Sequence, residues 1–475
     1  MEFTSEGTYV LLLFVVNISL TFYVYDVGVK PTGVRVKSVA LAVEETTPSG
    51  IAGAIARLIS SGDLAPGDRL PTVRELAGDL GVSPATVSHA WQALARVGLI
   101  VSRGRSGSFV REAPTTWLPP RSRGLAGQPV ARLDLSTGTP DPQLLPSIGP
   151  ALSRVSSRAG TASYLDVPVL PELEALLRGS WPYPVDAVTV VDGAMDAISR
   201  SLDLLLHYGD RVVVEDPGFP PIFDLLEHYG IERLPVELDE QGMRPAALAE
   251  ALKRSPAAIV MQPRTQNPSG VSMTLERARE LARVVRASRT AENTVIIEDD
   301  HSGAISASED VSLGAFLPDR VLHVRSYSKS HGPDLRIAAL GGPASLIDRI
   351  VARRQLGPGW TSRMLQSILY DLLTDATSVA AVDEAQRVYG QRQRALNSAL
   401  GAAGYPVRLP DGINLWMPVA DERNAVVQLA AAGVRVAAGT PFLASPGPQF
   451  VRVTGGLVRD DYDAVATLLA KAALA

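Results

Sequence analysis

The chain has 475 residues, of which 46% are hydrophobic and 20% are charged, and its net charge is -5 at pH 7. A chain of this length and composition can bury large cores and is expected to form two or three domains, while its acidic balance argues against a protein that coats nucleic acid uniformly, although not against a local basic face. The absence of cysteine excludes disulfides, thiol catalysis and cysteine metal sites, and the six histidines show no paired ligand spacing, so no metal site is expected.

Residues 1–48 form an N-terminal extension that differs from the rest of the chain. Residues 9–25 carry no charge and are almost entirely apolar. This length is at the lower limit for a membrane span, and the segment lacks a cationic start and a clear cleavage site. A marginal membrane anchor, a signal segment and an extension upstream of the true start all remain open. Because everything after residue 48 has a cytoplasmic character, we favour the third and expect the protein to be cytoplasmic.

Residues 49–112 predict three helices followed by a two-stranded wing. Thr72 and Glu75 have capping-box spacing at the start of the second helix, and Ser83 is placed to cap the third. The predicted elements after the first helix are the helices 73–80 and 84–97 and the strands 98–101 and 107–110. This order predicts a DNA-binding unit whose third helix lies in the major groove.

The same segment closely resembles the GntR-type winged helix, through the signature Pro66-Gly67-Asp68-Arg69-Leu70-Pro71 and the residues 73–77. The resemblance implies that Arg69 and Arg74 contact the DNA backbone, and that Gly107 lets the wing approach the minor groove. It also places three polar residues on the groove-facing helix, namely Ser83, Thr86 and Ser88. Pro84 and Ser88 stand where many members carry arginine, so base preference does not carry over.

The charge of this unit predicts a dimer. Seven arginines against five acidic residues give residues 49–112 a net charge of +2. A single copy of so weakly basic a unit would bind double-stranded DNA poorly. Residues 113–131, with four prolines and two glycines, then predict a semi-extended linker.

A second chemistry is predicted around Lys329, one of only five lysines. It follows the apolar strand 321–324 and precedes a Gly-Pro break, which predicts a partly buried amine that can form a Schiff base. Ser326, Ser328 and Arg336 can hold a phosphate. Taken alone, the pattern also fits a surface lysine in a serine-rich loop.

Upstream motifs occur in the order that a pyridoxal phosphate (PLP) site requires. Asp299 lies in the carboxylate-rich end of the strand 295–300 and can pair with a protonated pyridine nitrogen. Asn267 follows the strand 257–261 and can bond the ring hydroxyl, and Gly193-Ala194 opens a helix where backbone amides meet a phosphate. Singly, these motifs are equally typical of a helix cap or a plain turn.

Together these motifs resemble the fold-type I aminotransferases over residues 132–475. The resemblance implies that Lys329 is the catalytic Schiff-base lysine, that Arg452 binds the substrate carboxylate, and that Tyr164 reaches the phosphate of a neighbouring subunit. The further cofactor-binding residues that it implies are Asp299, Asn267, Phe219, Gly193, Ala194, Ser326 and Arg336. His301, also assigned to the cofactor, stands where the family usually has a tyrosine.

The expected fold class is α/β. A winged helix-turn-helix precedes a fold-type I PLP-dependent aminotransferase-like domain, in which a mostly parallel sheet is followed by a smaller α/β lobe at about 375–475. This combination resembles the MocR group of bacterial regulators. The resemblance implies a homodimeric, PLP-binding transcription factor that senses PLP or an amino acid or amine effector through Lys329 and binds a double-stranded DNA operator. A catalytically active aminotransferase carrying a DNA-binding domain is the alternative, and a membrane-tethered regulator is a third interpretation.

Overall fold

The computed structural model describes residues 9–11, 15–16, 19–20, 24–26, 36–96, 99–102, 107–111, 119–121, 131–155 and 163–475. Much of the apolar segment 9–25 and most of the linker 113–131 therefore lie outside the described residues. The described parts of the apolar segment are four short strands: β1 (Tyr9–Leu11), β2 (Val15–Val16), β3 (Ser19–Leu20) and β4 (Val24–Asp26). In the part of the chain that is described, no helix has both the length and the apolarity needed to cross a membrane.

Contacts within the chain divide it into two units, 1–115 and 116–475. The first unit contains the predicted winged helix. Its helices are α1 (Val36–Leu41), α2 (Pro48–Ser61), α3 (Val73–Leu80) and α4 (Pro84–Arg96), and its antiparallel wing strands are β5 (Ile100–Ser102) and β6 (Ser108–Val110). The Thr72 hydroxyl accepts from the Glu75 N–H at 3.3 Å, and the Glu75 carboxylate accepts from the Thr72 N–H at 2.8 Å, so the predicted capping box is present.

The core of the first unit begins before the predicted domain boundary. Val39 on α1 is completely buried and packs in one cluster with Ile51, Leu76 and Trp91. Val39, which lies in the predicted extension, therefore packs with the winged helix. Burying the Val39 side chain contributes to the stability of this unit, while the interpretation of residues 1–48 as an extension upstream of the true start stays a prediction.

The second unit consists of a large sheet covered by helices and a smaller lobe. Its strands are β7 (Leu133–Asp134), β8 (Ala187–Val191), β9 (Arg211–Asp216), β10 (Glu232–Asp239), β11 (Gly242–Met243), β12 (Ala258–Met261), β13 (Val295–Asp300), β14 (Val321–Ser326), β15 (Ala338–Gly342), β16 (Leu415–Pro418), β17 (Val434–Arg435), β18 (Ala437–Ala438) and β19 (Phe450–Val453). Its helices are α5 (Gly149–Val155), α6 (Pro171–Gly179), α7 (Ala194–Leu205), α8 (Pro220–His228), α9 (Pro245–Leu252), α10 (Leu275–Ala287), α11 (Ala344–Gln355), α12 (Arg363–Thr374), α13 (Ala376–Ala402), α14 (Glu422–Ala431) and α15 (Tyr462–Leu474).

The large sheet has eight strands in the order β11-β10-β9-β12-β13-β14-β15-β8. The pairings from β10 through β9, β12 and β13 to β14 are parallel, whereas β11, β15 and β8 join antiparallel. The prediction of a mostly parallel sheet is therefore confirmed. Because the carboxyl ends of parallel strands meet at one edge of a sheet, the residues after β9, β12, β13 and β14 converge there.

The smaller lobe contains the three-stranded antiparallel sheet β16-β19-β18. Its core joins α13, α14 and α15 to this sheet through Leu396, Leu429, Val453 and Leu469, all of which are buried. Leu135, just after β7, belongs to the same core, so the beginning of the second unit packs into the lobe. This packing brings residues 136–138 and β19 close to each other.

Candidate functional site

Lys329 lies in the loop that follows β14, and its side chain is partly buried. Its Nζ donates to the carbonyl oxygen of Gly138. Burial and the positive charge of Arg452 lower the pKa of Lys329 to about 8, against a smaller opposing effect of the Asp299 carboxylate. A larger fraction of the amine is therefore neutral near pH 7 than in an exposed lysine, as a nucleophilic role requires.

Asp299 lies on β13 and is 1% exposed. Its Oδ2 accepts from the Gln262 side-chain amide at 2.8 Å, while its Oδ1 is buried and has no hydrogen-bond partner among the described residues. Burial raises the pKa of Asp299 to about 6, and the Gln262 hydrogen bond acts in the opposite direction. An unpartnered buried carboxylate oxygen is costly unless a donor meets it, so this atom fits a protonated ring nitrogen.

Arg452 on β19 is also buried, at 3% exposure. Its Nη1 donates to Asn267 Oδ1 at 3.2 Å, its Nη2 donates to the Ser136 carbonyl, and its Nε has no partner within the described ranges. Burial lowers the pKa of Arg452 to about 10. No carboxylate of the described residues forms a salt bridge with it, so the guanidinium retains the capacity to pair with the carboxylate of a ligand.

Gly193 and Arg336 meet at the start of α7. Gly193 caps this helix with φ of 99°, and a Cβ built on it would lie 2.8 Å from Arg336 Nη2. Arg336 Nη2 also lies 3.4 Å from the carbonyl oxygen of Asp192. The free N–H groups at the start of α7, beginning at Ala194, and the exposed guanidinium together fit a phosphate. Ser326, at the end of β14, is buried, and its Oγ accepts from the Ser328 N–H at 3.3 Å.

His301 lies just beyond β13 and is partly buried. Its Nε2 is 2.9 Å from the carbonyl oxygen of Thr265, which can only accept, so Nε2 carries the proton and Nδ1 is an acceptor. Burial first, and then the charge of Lys329, lower the pKa of His301 to about 4. Nδ1 lies 3.5 Å from the Ser302 hydroxyl and can accept but not donate, which distinguishes this imidazole from the hydroxyl of the tyrosine that the family usually has here.

The first unit places several predicted DNA-binding residues around one groove. A groove of about 400 Å³ between α4 and the wing is lined in part by Arg69, Ser88, Gln92 and Gly107. Gly107 has φ of 101°, and a Cβ on it would lie 3.1 Å from Arg69 Nε, so the wing backbone and this arginine are close neighbours.

The remaining predicted DNA-binding residues lie at the starts of two helices. Ser83 Oγ accepts from the Thr86 N–H at 3.2 Å, which caps α4 as predicted. Arg74 is exposed on the first turn of α3. Their contacts with DNA stay predictions.

Family comparisons match both units. The bacterial regulatory proteins of the gntR family match residues 47–110, and aminotransferase class I and II matches residues 131–469. Curated relatives that match most of this chain include HTH-type transcriptional regulators.

The chain belongs to the MocR-type bacterial transcriptional regulators. It is 34% identical to the vitamin B6 salvage pathway transcriptional repressor PtsJ of Salmonella typhimurium, over 88% of this chain and 96% of that protein. It is 29% identical to the HTH-type transcriptional regulator TauR of Rhodobacter capsulatus, over 81% of this chain and 87% of that protein. It is 26% identical to the HTH-type pyridoxine biosynthesis transcriptional regulator PdxR of Corynebacterium glutamicum, over 76% of this chain and 81% of that protein.

Solved structures confirm the fold of the second unit of this MocR-type chain. The α-aminoadipate aminotransferase LysN of Thermus thermophilus superposes with a TM-score of 0.64 at 23% identity, covering 72% of this chain and 91% of that one. The multiple substrate aminotransferase of Thermococcus profundus superposes with a TM-score of 0.66 at 19% identity, covering 76% of this chain and 95% of that one. At these identities the likeness shows the fold alone.

Two predicted residues of the MocR-type site are not joined to it by the contacts that the structure describes. Phe219 precedes α8 and packs partly buried against the core of the large sheet. Tyr164 is 86% exposed, and its ring centroid lies 5.9 Å from that of Trp360. The predicted roles, stacking for Phe219 and a neighbouring phosphate for Tyr164, stay predictions.

Sequence reasoning missed two groups that contact the predicted residues. The Gly138 carbonyl contacts Lys329, and a Cβ on Gly138 would lie 3.0 Å from Arg452 Nη1. Gln262 contacts both Asp299 and the Asn267 backbone. A usable signal existed for Gln262, because it is the first residue after β12, at the same sheet edge as Asp299.

One acidic cluster bears on the expectation that there is no metal site. Ligand atoms of Asp300, Asp310 and His323 lie within 4.8 Å of one another. Asp300 already pairs with Arg264 at 2.5 Å, and His323 Nδ1 lies 2.8 Å from Glu298. The other ring nitrogen of His323, Nε2, is buried and has no hydrogen-bond partner among the described residues, so the expectation that there is no metal site stays a prediction.

Proposed function

We propose that this regulator senses PLP, alone or together with an amino acid or amine, through Lys329. The observation that carries the proposal is the arrangement at the sheet edge. A lysine with a lowered pKa lies within the electrostatic reach of Asp299, whose buried Oδ1 is without a donor. A glycine-lined helix start beside Arg336 supplies a place for a phosphate. These are the three groups by which a protein of this fold holds PLP.

Each residue of the site has a role in this proposal. PLP supplies an aldehyde that reacts with a primary amine and a ring that withdraws electrons. Asp299 accepts from the pyridinium nitrogen, and Lys329 provides the amine. The other residues proposed to hold PLP are Asn267 and His301 near the ring hydroxyl, Phe219 on the ring face, and Gly193, Ala194, Ser326 and Arg336 at the phosphate.

The effector is proposed to carry a carboxylate next to its amine. Arg452 is buried, lacks an acidic partner among the described residues, and donates to Asn267 and Ser136. A ligand carboxylate would neutralise its charge in a site with little water, where the pairing is strong. Arg452 also lowers the pKa of Lys329, so a ligand carboxylate that neutralises Arg452 would raise that pKa. Effector binding is thereby linked to the protonation of the amine.

The DNA-binding unit is proposed to act as a homodimer on an operator in the bacterial cytoplasm. Arg69 and Arg74 would contact the backbone, Ser83, Thr86 and Ser88 the major groove, and the wing at Gly107 the minor groove. Tyr164 would reach the phosphate in the neighbouring subunit. The names of the relatives PtsJ and PdxR associate them with vitamin B6 salvage and pyridoxine biosynthesis, which supports genes of vitamin B6 metabolism as the regulated class.

A working aminotransferase is the second candidate, favoured by one specific observation. Lys329, Asp299 and Arg452 together can fill the roles of proton-transfer amine, ring-nitrogen partner and substrate anchor. Repeated conversion of an amino acid and a 2-oxo acid by the purified protein would support this candidate. A single spectral change that alters DNA affinity supports the sensor.

The decisive experiment compares the wild type with Lys329→Ala and with Lys253→Ala, whose exposed lysine pairs with Glu250. PLP is added to each protein while the visible absorbance is recorded, and the affinity for a DNA fragment from upstream of the gene is measured with and without PLP. We expect a visible band and a PLP-dependent change of affinity in the wild type and Lys253→Ala only. A wild type without the band, or with DNA affinity indifferent to PLP, contradicts the sensing function.

A further inference from the structure

Gln262 occupies a central position at the carboxyl edge of the sheet. It directly follows β12 and is 4% exposed. Its backbone N–H donates to Glu215 Oε2 at 3.1 Å, which ties it to the end of β9. The neighbouring strand on the other side is β13, which carries Asp299. Gln262 is therefore held between two buried carboxyl groups, Glu215 through its backbone N–H and Asp299 through its side chain.

The amide of Gln262 is fixed in one orientation. Its Nε2 donates to Asp299 Oδ2 at 2.8 Å, and its Oε1 accepts from the Asn267 N–H at 2.8 Å. A flipped amide would turn its oxygen toward the Asp299 carboxylate and its N–H groups toward the Asn267 N–H, so both hydrogen bonds would be lost. Only a group that donates at one end and accepts at the other satisfies both neighbours.

These bonds connect two ends of the site. Gln262 holds the backbone of Asn267, and the Asn267 side chain accepts from Arg452 Nη1 at 3.2 Å. At its other end Gln262 occupies Oδ2 of Asp299 and leaves Oδ1 without a partner in the described chain. One buried amide therefore determines which oxygen of Asp299 is free and where the Asn267 side chain lies.

We propose that Gln262 is a positioning residue of the cofactor site, which keeps Asp299 ionised with Oδ1 directed at the ring nitrogen and keeps Asn267 in place. This inference rests on the proposed PLP function. Gln262 does not touch the amine of Lys329 in any described contact; it acts through Asp299 and Asn267. A purely structural glutamine would stabilise the fold without affecting the ionisation of its neighbours, and this difference provides the test.

Gln262→Met keeps a side chain of similar length and removes both hydrogen bonds. Asp299 then has two buried oxygens without donors, so it holds a proton to higher pH. The loss of its negative charge makes the Lys329 ammonium less favourable, and Lys329 becomes reactive at lower pH. We expect the affinity for PLP to fall by about tenfold or more. In the PLP-loaded protein, we expect the pH midpoint of the visible spectrum to rise.

Gln262→Glu preserves the volume and is the second variant. A carboxyl group in this place can donate to Asp299 only while it is protonated. PLP affinity should therefore fall as pH rises, in contrast to the wild type. Gln366→Leu is the matched control, because Gln366 is a buried glutamine with three hydrogen bonds to backbone groups of the same unit.

The experiment has one measurement without cofactor and one with PLP. An amine-reactive reagent labels cofactor-free protein across pH, and the Lys329 peptide is quantified; PLP binding is then followed by absorbance. We expect the Lys329 labelling midpoint to fall in Gln262→Met and to stay unchanged in Gln366→Leu. If Gln262→Met shows wild-type labelling and wild-type PLP affinity, the positioning role is wrong while PLP binding stands. If no protein shows a PLP band, the proposed function fails, and an unshifted labelling midpoint then overturns the Gln262 inference as well.

Discussion

A Cβ built on Gly193 would lie 2.8 Å from the Nη2 atom of Arg336, at the start of α7. The guanidinium therefore fills the space that a side chain on residue 193 would need. Gly193→Ala should displace Arg336 and also strain a backbone with φ of 99°. We expect PLP affinity, measured by absorbance titration, to fall by about tenfold or more, because a charge-assisted contact with the phosphate is lost.

Gly209→Ala is the control for backbone strain. Gly209 also has a positive φ, of 87°, but a Cβ on it meets no atom within 4 Å. Both variants should lose about 1 kcal/mol of stability in thermal unfolding, and only Gly193→Ala should lose PLP affinity. Equal PLP binding by the two variants would show that Arg336 is not part of a phosphate site.

Lys329 should be labelled by an amine-reactive reagent with a midpoint at about pH 8. Only the neutral amine reacts, so a lowered pKa moves labelling to lower pH than in an ordinary lysine. Arg452→Leu removes a positive charge that opposes the ammonium form, and the labelling midpoint should therefore rise. Exposed Lys253 is the internal reference, with a profile that the substitution leaves unchanged. An Arg452→Leu midpoint at or below that of the wild type would contradict the electrostatic coupling.

The sequence indicated which polar residues follow the strands at the sheet edge, but not which of them contact one another. Lys329, Asp299 and Asn267 were found because strand patterns end just before or at them, and parallel strands bring such residues together. Gln262 was missed because its place directly after β12 does not by itself mark a glutamine as part of a site; its importance comes from two partners, 37 and five positions away. Contacts of this kind depend on strand order and register, which local patterns do not specify.

The N-terminal boundary shows the same limit. The motif-based prediction began the DNA-binding unit at residue 49, where the recognisable helix pattern starts. Whether an upstream helix packs on that unit depends on tertiary contacts, and a short helix such as α1 has little local signal. Its buried residue, Val39, became evident only from the packing of the folded unit.

Val39→Ala should therefore destabilise the DNA-binding unit. The side chain is completely buried, and deleting two methyl groups from a core is expected to cost about 1–3 kcal/mol. Leu41→Ala, on the same helix but 86% exposed, should change stability by no more than about 0.5 kcal/mol. The unfolding temperature and the DNA affinity of the full chain are measured for both variants. Equal unfolding temperatures would place α1 outside the functional core.

Arg69 should contribute to DNA binding mainly through phosphate charge. It is exposed beside the wing glycine Gly107 and lines the groove next to α4. Arg69→Ala should weaken binding to all DNA sequences alike and reduce the slope of log affinity against log salt by about one. Arg57→Ala, an exposed arginine on α2, is the control and should leave the slope unchanged. Loss of sequence preference with an unchanged salt slope would instead assign Arg69 to base contacts.

Arg121, a described residue of the linker, should anchor that linker on α8. Its Nη1 pairs with Asp224 at 2.5 Å and its Nη2 with Glu227 at 2.5 Å. Arg121→Ala removes both pairs and leaves the largely buried Asp224 carboxylate without them, so local opening should become easier by about 1–2 kcal/mol. Hydrogen exchange measures this directly: we expect faster exchange of the Arg121 N–H, which donates to Asp224 Oδ2 at 3.3 Å, and of the amides of α8. Arg121→Lys keeps the charge but cannot make both pairs in the same planar geometry, and it should give an intermediate rate. Exchange as slow in Arg121→Ala as in the wild type would mean that the linker is held by other contacts.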